Sequence, residues 1–275
     1  MTPGAVAIVT GAGRGIGRVT AVALAEVGFA VGLVARTAAD LEETRRLVLE
    51  RGATAVSAVA DVTDPSAMRQ AVIAIEQHAG DRITVLVNNA GSLRAIGPLW
   101  EVDPEDWWLD VRTSLGGAFI CCREVVPRMI RLGEGRIVNL TSYVAVRPTP
   151  YQTGYAAGKA GIVSLTEALA ASLEGSGVKA FSVAPGFTPT EMTRNLVESE
   201  AGKRWLPDVG KGRSVEAESS ARLIAWLASG AGDELNGRLI HSLDDPQELL
   251  RRIDEIRKDE LYAPRLRRLP AETKH

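Results

Sequence analysis

Short, nearly uninterrupted apolar runs alternate along this chain with longer amphipathic stretches, and that alternation restricts the fold more than any other feature. Strand-like runs fall at 5–10, 30–35, 53–60, 85–88, 136–142, 179–184 and 238–242. Helix-like stretches fall between them at 15–27, 40–51, 65–79, 114–129 and 155–173. Strand–helix–strand repetition requires crossover connections and favours a parallel sheet covered by helices on both faces. Continuous rather than alternating apolarity in the strands is the pattern of a sheet buried on both sides. The expected fold is therefore α/β: a doubly wound, three-layer sandwich around a mostly parallel seven-stranded sheet.

The length of 275 residues suits one generous domain, expected over 1–245. A polar segment at 187–214 interrupts the alternation and reads as a lid or substrate loop. Beyond it, 246–275 reads as a tail, with a helix over 246–260 and a basic end around Arg265, Arg267 and Arg268. Leu249, Leu250, Ile253 and Ile256 recur at helical spacing, which predicts that the tail contributes to assembly.

A formal net charge of -2 provides no field that would draw the chain to nucleic acid or acidic lipid. No run approaches the ~20 apolar residues of a membrane span. The first residues carry neither the charged region nor the cleavage site of a secretory leader, so a soluble cytoplasmic protein is expected. Cys121 and Cys122 are adjacent within an apolar run and read as small core residues of a reduced compartment. His78, His241 and His275 are scattered, and no metal site is expected.

Gly11, Gly15 and Gly17 punctuate the junction of the first strand and first helix, with Arg14 and Ile16 between them. Glycines there let the backbone turn sharply and approach a pyrophosphate lying on the free amides of the helix N-terminus. The second strand ends at Arg36, where an NAD-specific site would place an acid for the ribose 2′-hydroxyl. A guanidinium would instead bind a 2′-phosphate, with help from Arg14 and the Thr37 hydroxyl, so NADP(H) is favoured over NAD(H). The plainer alternative leaves Arg36 as a solvated strand-end charge. Asp61, followed by Val62, suits either a contact to the adenine amine or a cap on the turn that follows the third strand.

Tyr155 and Lys159 lie one helical turn apart on one face. An ammonium beside a phenol favours the phenolate, which would let Tyr155 act as acid or base near neutrality. Ser142 ends the fifth strand-like run, where its hydroxyl could hydrogen-bond the same substrate oxygen.

Taken together and in order over about 5–242, these motifs resemble the short-chain dehydrogenase/reductase family. The glycine turn matches at Gly11, Gly15 and Gly17, and Asn88-Asn89-Ala90-Gly91 is similar to the family's structural and cofactor-contacting motif. Ser142, Tyr155 and Lys159 match its catalytic serine, tyrosine and lysine, and the resemblance implies that Lys159 also bonds the nicotinamide ribose. Pro185-Gly186, followed by Thr188 and Thr190, resembles the segment that passes the carboxamide and begins the substrate loop. The chain departs from the pattern at Ser114, where the family carries an asparagine whose main-chain carbonyl holds a relay water. It also departs after Ser242, where relatives commonly end in a glycine-rich turn.

On the substrate side, Arg94 and Arg147 read either as anion-binding groups or as solvated charges, and Trp205 as a pocket wall or a lid anchor. Trp107 and Trp108 follow a helix start marked by Asp103 and Pro104, and could be interface anchors or internal packing. The resemblance implies a homodimer or homotetramer acting on a small-molecule carbonyl or alcohol. The competing reading is a non-catalytic nicotinamide-dinucleotide-binding regulator of the same fold.

Overall fold

A computed structural model describes residues 4–265. Arg267, Arg268 and His275 lie outside the described residues. Seven strands form one sheet in the order β3-β2-β1-β4-β5-β6-β7. They are β1 (Val6–Thr10), β2 (Ala30–Ala35), β3 (Ala55–Val59), β4 (Ile83–Asn88), β5 (Gly135–Leu140), β6 (Val178–Ala184) and β7 (Leu239–His241). Every pairing is parallel, so among the described residues the sheet has no antiparallel edge strand.

The strands are apolar throughout because each face meets helices. In β1, Ala7 and Val9 enter one core cluster while Val6 and Ile8 enter the other, following the two-residue period of a strand. The first cluster is covered by α1 (Gly15–Glu26), α2 (Ala38–Leu49) and α9 (Ala217–Ala228). The second is covered by α3 (Pro65–Ala79), α5 (Gly117–Leu132) and the far part of α6 (Thr153–Ser172). Cys121 and Cys122 are buried in that second layer as free thiols.

Local chemistry sets the helix ends. Asp64 accepts from the Ser66 and Ala67 amides at the start of α3, ahead of Pro65. Asp103 accepts from the Glu105 amide at the start of α4 (Pro104–Val111). A π-helical turn, Arg112–Gly116, joins α4 to α5, and Gly133, at φ +66°, closes α5 in the left-handed conformation.

Several elements differ from the sequence expectation. Helix α6 begins at Thr153, two residues before Tyr155. The segment 187–214 carries two short helices, α7 (Glu191–Glu198) and α8 (Glu200–Trp205). The tail helix is broken at Arg252 into α10 (Pro246–Arg251) and α11 (Ile253–Lys258). Leu249 and Ile256 are buried in the first core cluster and Ile253 packs against it, so much of the tail's apolar face is covered by its own chain. Among the described residues, no helix is long and apolar enough to cross a membrane, and no group of three or more His, Cys, Asp or Glu side chains is placed to hold a metal ion.

Candidate active site

In the sheet, β1 lies between β2 and β4, so the connections leaving β1 and β4 run to opposite sides. A crevice opens beyond the carboxyl ends of the strands at such a switch point. Thr10 and Asn89 build its floor. The Thr10 hydroxyl accepts from the Asn89 and Ala90 amides at 3.0 and 3.2 Å, and Asn89 Nδ2 donates to the Thr10 and Gly11 carbonyls at 2.8 and 3.2 Å. Gly11 and Gly15 hold φ of +62° and +53°, which side chains disfavour. A Cβ on Gly17 would stand 2.2 Å from the Gly11 carbonyl, so Gly17 lets α1 seat against the turn.

The N-terminus of α1 has neither a side-chain cap nor an acid in its first turn. Its free amides and positive end thus suit an anionic pyrophosphate. With the close approach that the glycines permit, the crevice fits a dinucleotide.

The cavity there has a volume of about 240 Å³. Of the residues expected from sequence, Gly11, Arg14, Gly15, Ile16, Arg36, Thr37, Asp61, Val62, Asn89, Ala90, Gly91, Tyr155, Lys159 and Pro185 line it. Gly17, Ser114, Ser142, Gly186 and Thr188 are not part of its lining. The Ser114 and Thr188 hydroxyls are buried without a hydrogen-bond partner among the described residues.

The sequence reading missed Gly13, Asp40, Thr113, Thr141, Glu191 and Met192, which also line the cavity. The last two sit on the first turn of α7, whose Thr190–Thr193 capping box is the one local signal that could have found them.

The positive groups at the mouth already have partners. Arg14 pairs with Glu191 of α7, and Arg36 lies 3.8 Å from Asp61. Asp61 Oδ1 also accepts from the Thr63 amide and hydroxyl at 2.9 and 2.8 Å, so this carboxylate both ties its turn and faces the cavity.

At the other end, Lys159 is buried, and its Nζ donates to the Leu140 carbonyl at 2.8 Å. That nitrogen lies 5.6 Å from the centre of the Tyr155 ring. Burial lowers Lys159 to about 8. Burial raises the Tyr155 phenol to about 12, opposed by the Ser142 hydroxyl and reinforced by the Asp110 carboxylate. In the protein alone, then, desolvation outweighs the expected lowering of Tyr155 by its lysine neighbour.

Around this centre, Trp107 Nε1 donates to the Thr153 hydroxyl at 3.0 Å, fixing α4 against the start of α6, while Trp108 is half-exposed. The Trp205 ring packs 5.0 Å from that of Tyr151, and the Arg204 guanidinium lies over the Trp205 ring, 4.7 Å from its centre. Arg94 reaches to 3.9 Å from Asp106, and Arg147 is exposed.

A sequence profile described as short chain dehydrogenase matches residues 5–201. The chain is 34% identical over 259 residues to the short chain dehydrogenase mpl6 of Monascus purpureus, covering 92% of this chain and 85% of that one. It is 36% identical over 242 residues to the 3-oxoacyl-(acyl-carrier-protein) reductase FabG of Thermotoga maritima, covering 86% and 95%. A gluconate 5-dehydrogenase from Burkholderia cenocepacia, solved in complex with NADP and tartrate, superposes with a TM-score of 0.78 at 34% identity, covering 87% of this chain and 94% of that one. On the sheet order, the crevice and these matches, the chain belongs to the short-chain dehydrogenase family of oxidoreductases, which bind nicotinamide cofactors.

Proposed function

We propose that this protein interconverts a ketone or aldehyde with the corresponding alcohol, using NADP(H) and Tyr155 as the acid–base group. The observation that carries the reading is the placement of Tyr155 and Lys159 in the lining of the same cavity as the glycine turn.

The turn at Gly11, Arg14, Gly15 and Ile16 would hold the pyrophosphate, and Asp61 and Val62 the adenine. Arg36, Thr37 and Arg14 would hold a 2′-phosphate. Asn89, Ala90, Gly91 and Lys159 would hold the nicotinamide ribose, and Pro185, Gly186 and Thr188 the carboxamide. When bound, the dinucleotide supplies or accepts the hydride at the carbonyl carbon.

The chain's own residues handle the proton. A phenol raised by burial is protonated at neutral pH, so Tyr155 Oη is set to donate to the oxygen of a carbonyl undergoing reduction. Ser142 bonds that same oxygen and restrains the phenol's direction. The Leu140 carbonyl fixes the Lys159 ammonium on the side of the Tyr155 ring, where its charge offsets negative charge developing on the phenol oxygen. Ser114 stands where the family's relay asparagine does, and its main-chain carbonyl would serve the same water.

NADP preference rests on Arg36, the residue that follows β2, and on the NADP-bound gluconate 5-dehydrogenase among similar structures. Residues 1–245 would form the catalytic domain, with 187–214 as its lid and 246–275 as its tail, in a cytoplasmic homodimer or homotetramer. Purified protein incubated with a panel of ketones and aldehydes should consume NADPH faster than NADH. Faster consumption of NADH would remove the cofactor assignment, and none with either would remove the activity.

A further inference from the structure

Asp110, at the end of α4, is fully buried with 0% exposure, an unusual setting for a carboxylate. It is satisfied entirely by one neighbouring segment. Oδ1 accepts from the Ser92 hydroxyl at 2.7 Å and the Arg94 amide at 2.9 Å. Oδ2 accepts from the Arg94 and Ala95 amides at 3.0 Å each. No salt bridge reaches it among the described residues; the Arg94 side chain turns instead to Asp106. Burying a charge without a counter-ion is costly, and here three convergent donors compensate it.

The segment so held connects two parts of the site. Its N-terminal end follows Gly91, which lines the cavity and sits near Lys159 Nζ and Ser114. Its far end reaches Gly97, whose amide donates to the Tyr151 carbonyl at 2.9 Å and whose α-carbon faces Trp205 of α8. Residues 92–97 therefore run from the reacting end of the cavity to the lid. Asp110 is itself anchored from behind: a Cβ on Gly158 of α6 would meet the Asp110 carbonyl at 3.3 Å, so α4 and α6 meet at this point without slack.

We propose that Asp110 is a positioning residue that pins residues 92–95 as the substrate-side wall between the Tyr155 helix and the lid. This rests on the carbonyl–alcohol reading of the site. The aspartate touches neither the reacting atoms nor the dinucleotide cradle; it acts through the Arg94 and Ala95 amides. Its charge also disfavours ionisation of Tyr155, which places the two groups in one electrostatic neighbourhood.

The test compares Asp110→Ala, Asp110→Asn and Ser92→Ala in the full chain. Loss of a charged acceptor predicts about tenfold or faster amide exchange across 92–97 in Asp110→Ala, with the rest of the sheet unchanged. Asparagine keeps one oxygen for the Arg94 and Ala95 amides, and the Ser92 hydroxyl can turn to accept from its NH₂, so exchange should return towards the wild-type rate. For any carbonyl the wild type reduces, Asp110→Ala should raise KM by about tenfold with little change in Kd for NADPH, and Asp110→Asn should recover most of that loss. Ser92→Ala, which keeps both amide bonds, should show a smaller effect in the same direction.

Unchanged exchange at 92–97 in Asp110→Ala overturns the proposal, as does a uniform loosening of the whole chain. If the wild type reduces no carbonyl, the reading of the reaction fails, and local exchange at 94 and 95 still decides whether Asp110 is the tether.

Discussion

Lys159 donates from Nζ to the Leu140 carbonyl at 2.8 Å, while its own carbonyl accepts from the Thr141 hydroxyl at 2.9 Å. The last residue of β5 and the first loop residue after it thus clasp the lysine from both sides. The clasp fixes where the ammonium stands relative to the Tyr155 ring, yet the site is dry enough to lower the lysine to about 8.

That lowering has a stability signature. A lysine that titrates at about 8 folded and 10.5 unfolded carries its burial penalty in full below pH 8 and sheds it as pH rises from 8 to 10.5. Over that window the wild type should gain roughly 3 kcal/mol from this one group. Lys159→Met lacks this gain. Urea melts at pH 7 and pH 10 should therefore show the variant losing ground to the wild type as pH rises. Parallel behaviour of the two proteins would mean that Lys159 is better solvated than its surroundings imply.

The mouth of the cavity makes a prediction about cofactor choice. Arg36 is largely exposed, and Asp61 is the carboxylate paired with it at 3.8 Å. Such a loose pair contributes little by itself and leaves the guanidinium available to a phosphate. Arg36→Ala should raise KM for NADPH about 10–100-fold and leave that for NADH within about twofold. Titration of both cofactors against the variant checks this; equal losses would assign Arg36 a structural role only.

Cys121 and Cys122 should be chemically silent. Burial pushes both thiols up, Cys122 to about 12, so almost no thiolate exists at neutral pH. A disulfide reagent at pH 8 should leave the native protein unmodified and titrate both thiols once it is unfolded in guanidinium.

The tail separates what spacing can show from what it cannot. Leu249, Ile253 and Ile256 were legible as an apolar helical face, but spacing cannot say which surface covers such a face, nor that the chain breaks at Arg252. The alternation of strands and helices and the glycine turn were readable because they are local patterns. Helix α9 was not, because its first half is mostly polar, with Glu218, Ser219, Ser220 and Arg222, and follows on from a polar segment. Asp110 was hidden for a different reason. Among Glu105, Asp106 and Trp108 it looks like another solvated charge, and only the return of residues 92–95 over α4 buries it. Likewise, the Tyr155–Lys159 spacing showed proximity but not the dryness that sets both groups' protonation.

For the tail, the burial of Leu249 and Ile256 predicts that replacing either by alanine lowers stability by about 2–5 kcal/mol. Thermal melts and solution mass together test this. A fall in mass with unchanged stability of the single chain would return these residues to an interface.

The central claim, that Tyr155 delivers the proton in an NADPH-linked carbonyl reduction, is tested most directly by Tyr155→Phe. NADPH consumption and NADPH binding should be measured on the same preparation. The phenyl ring preserves packing beside Lys159 and removes only the hydroxyl, so NADPH should bind as in the wild type while turnover falls about 10²–10⁴-fold. A variant that binds NADPH and still reduces the carbonyl at the wild-type rate would contradict the account.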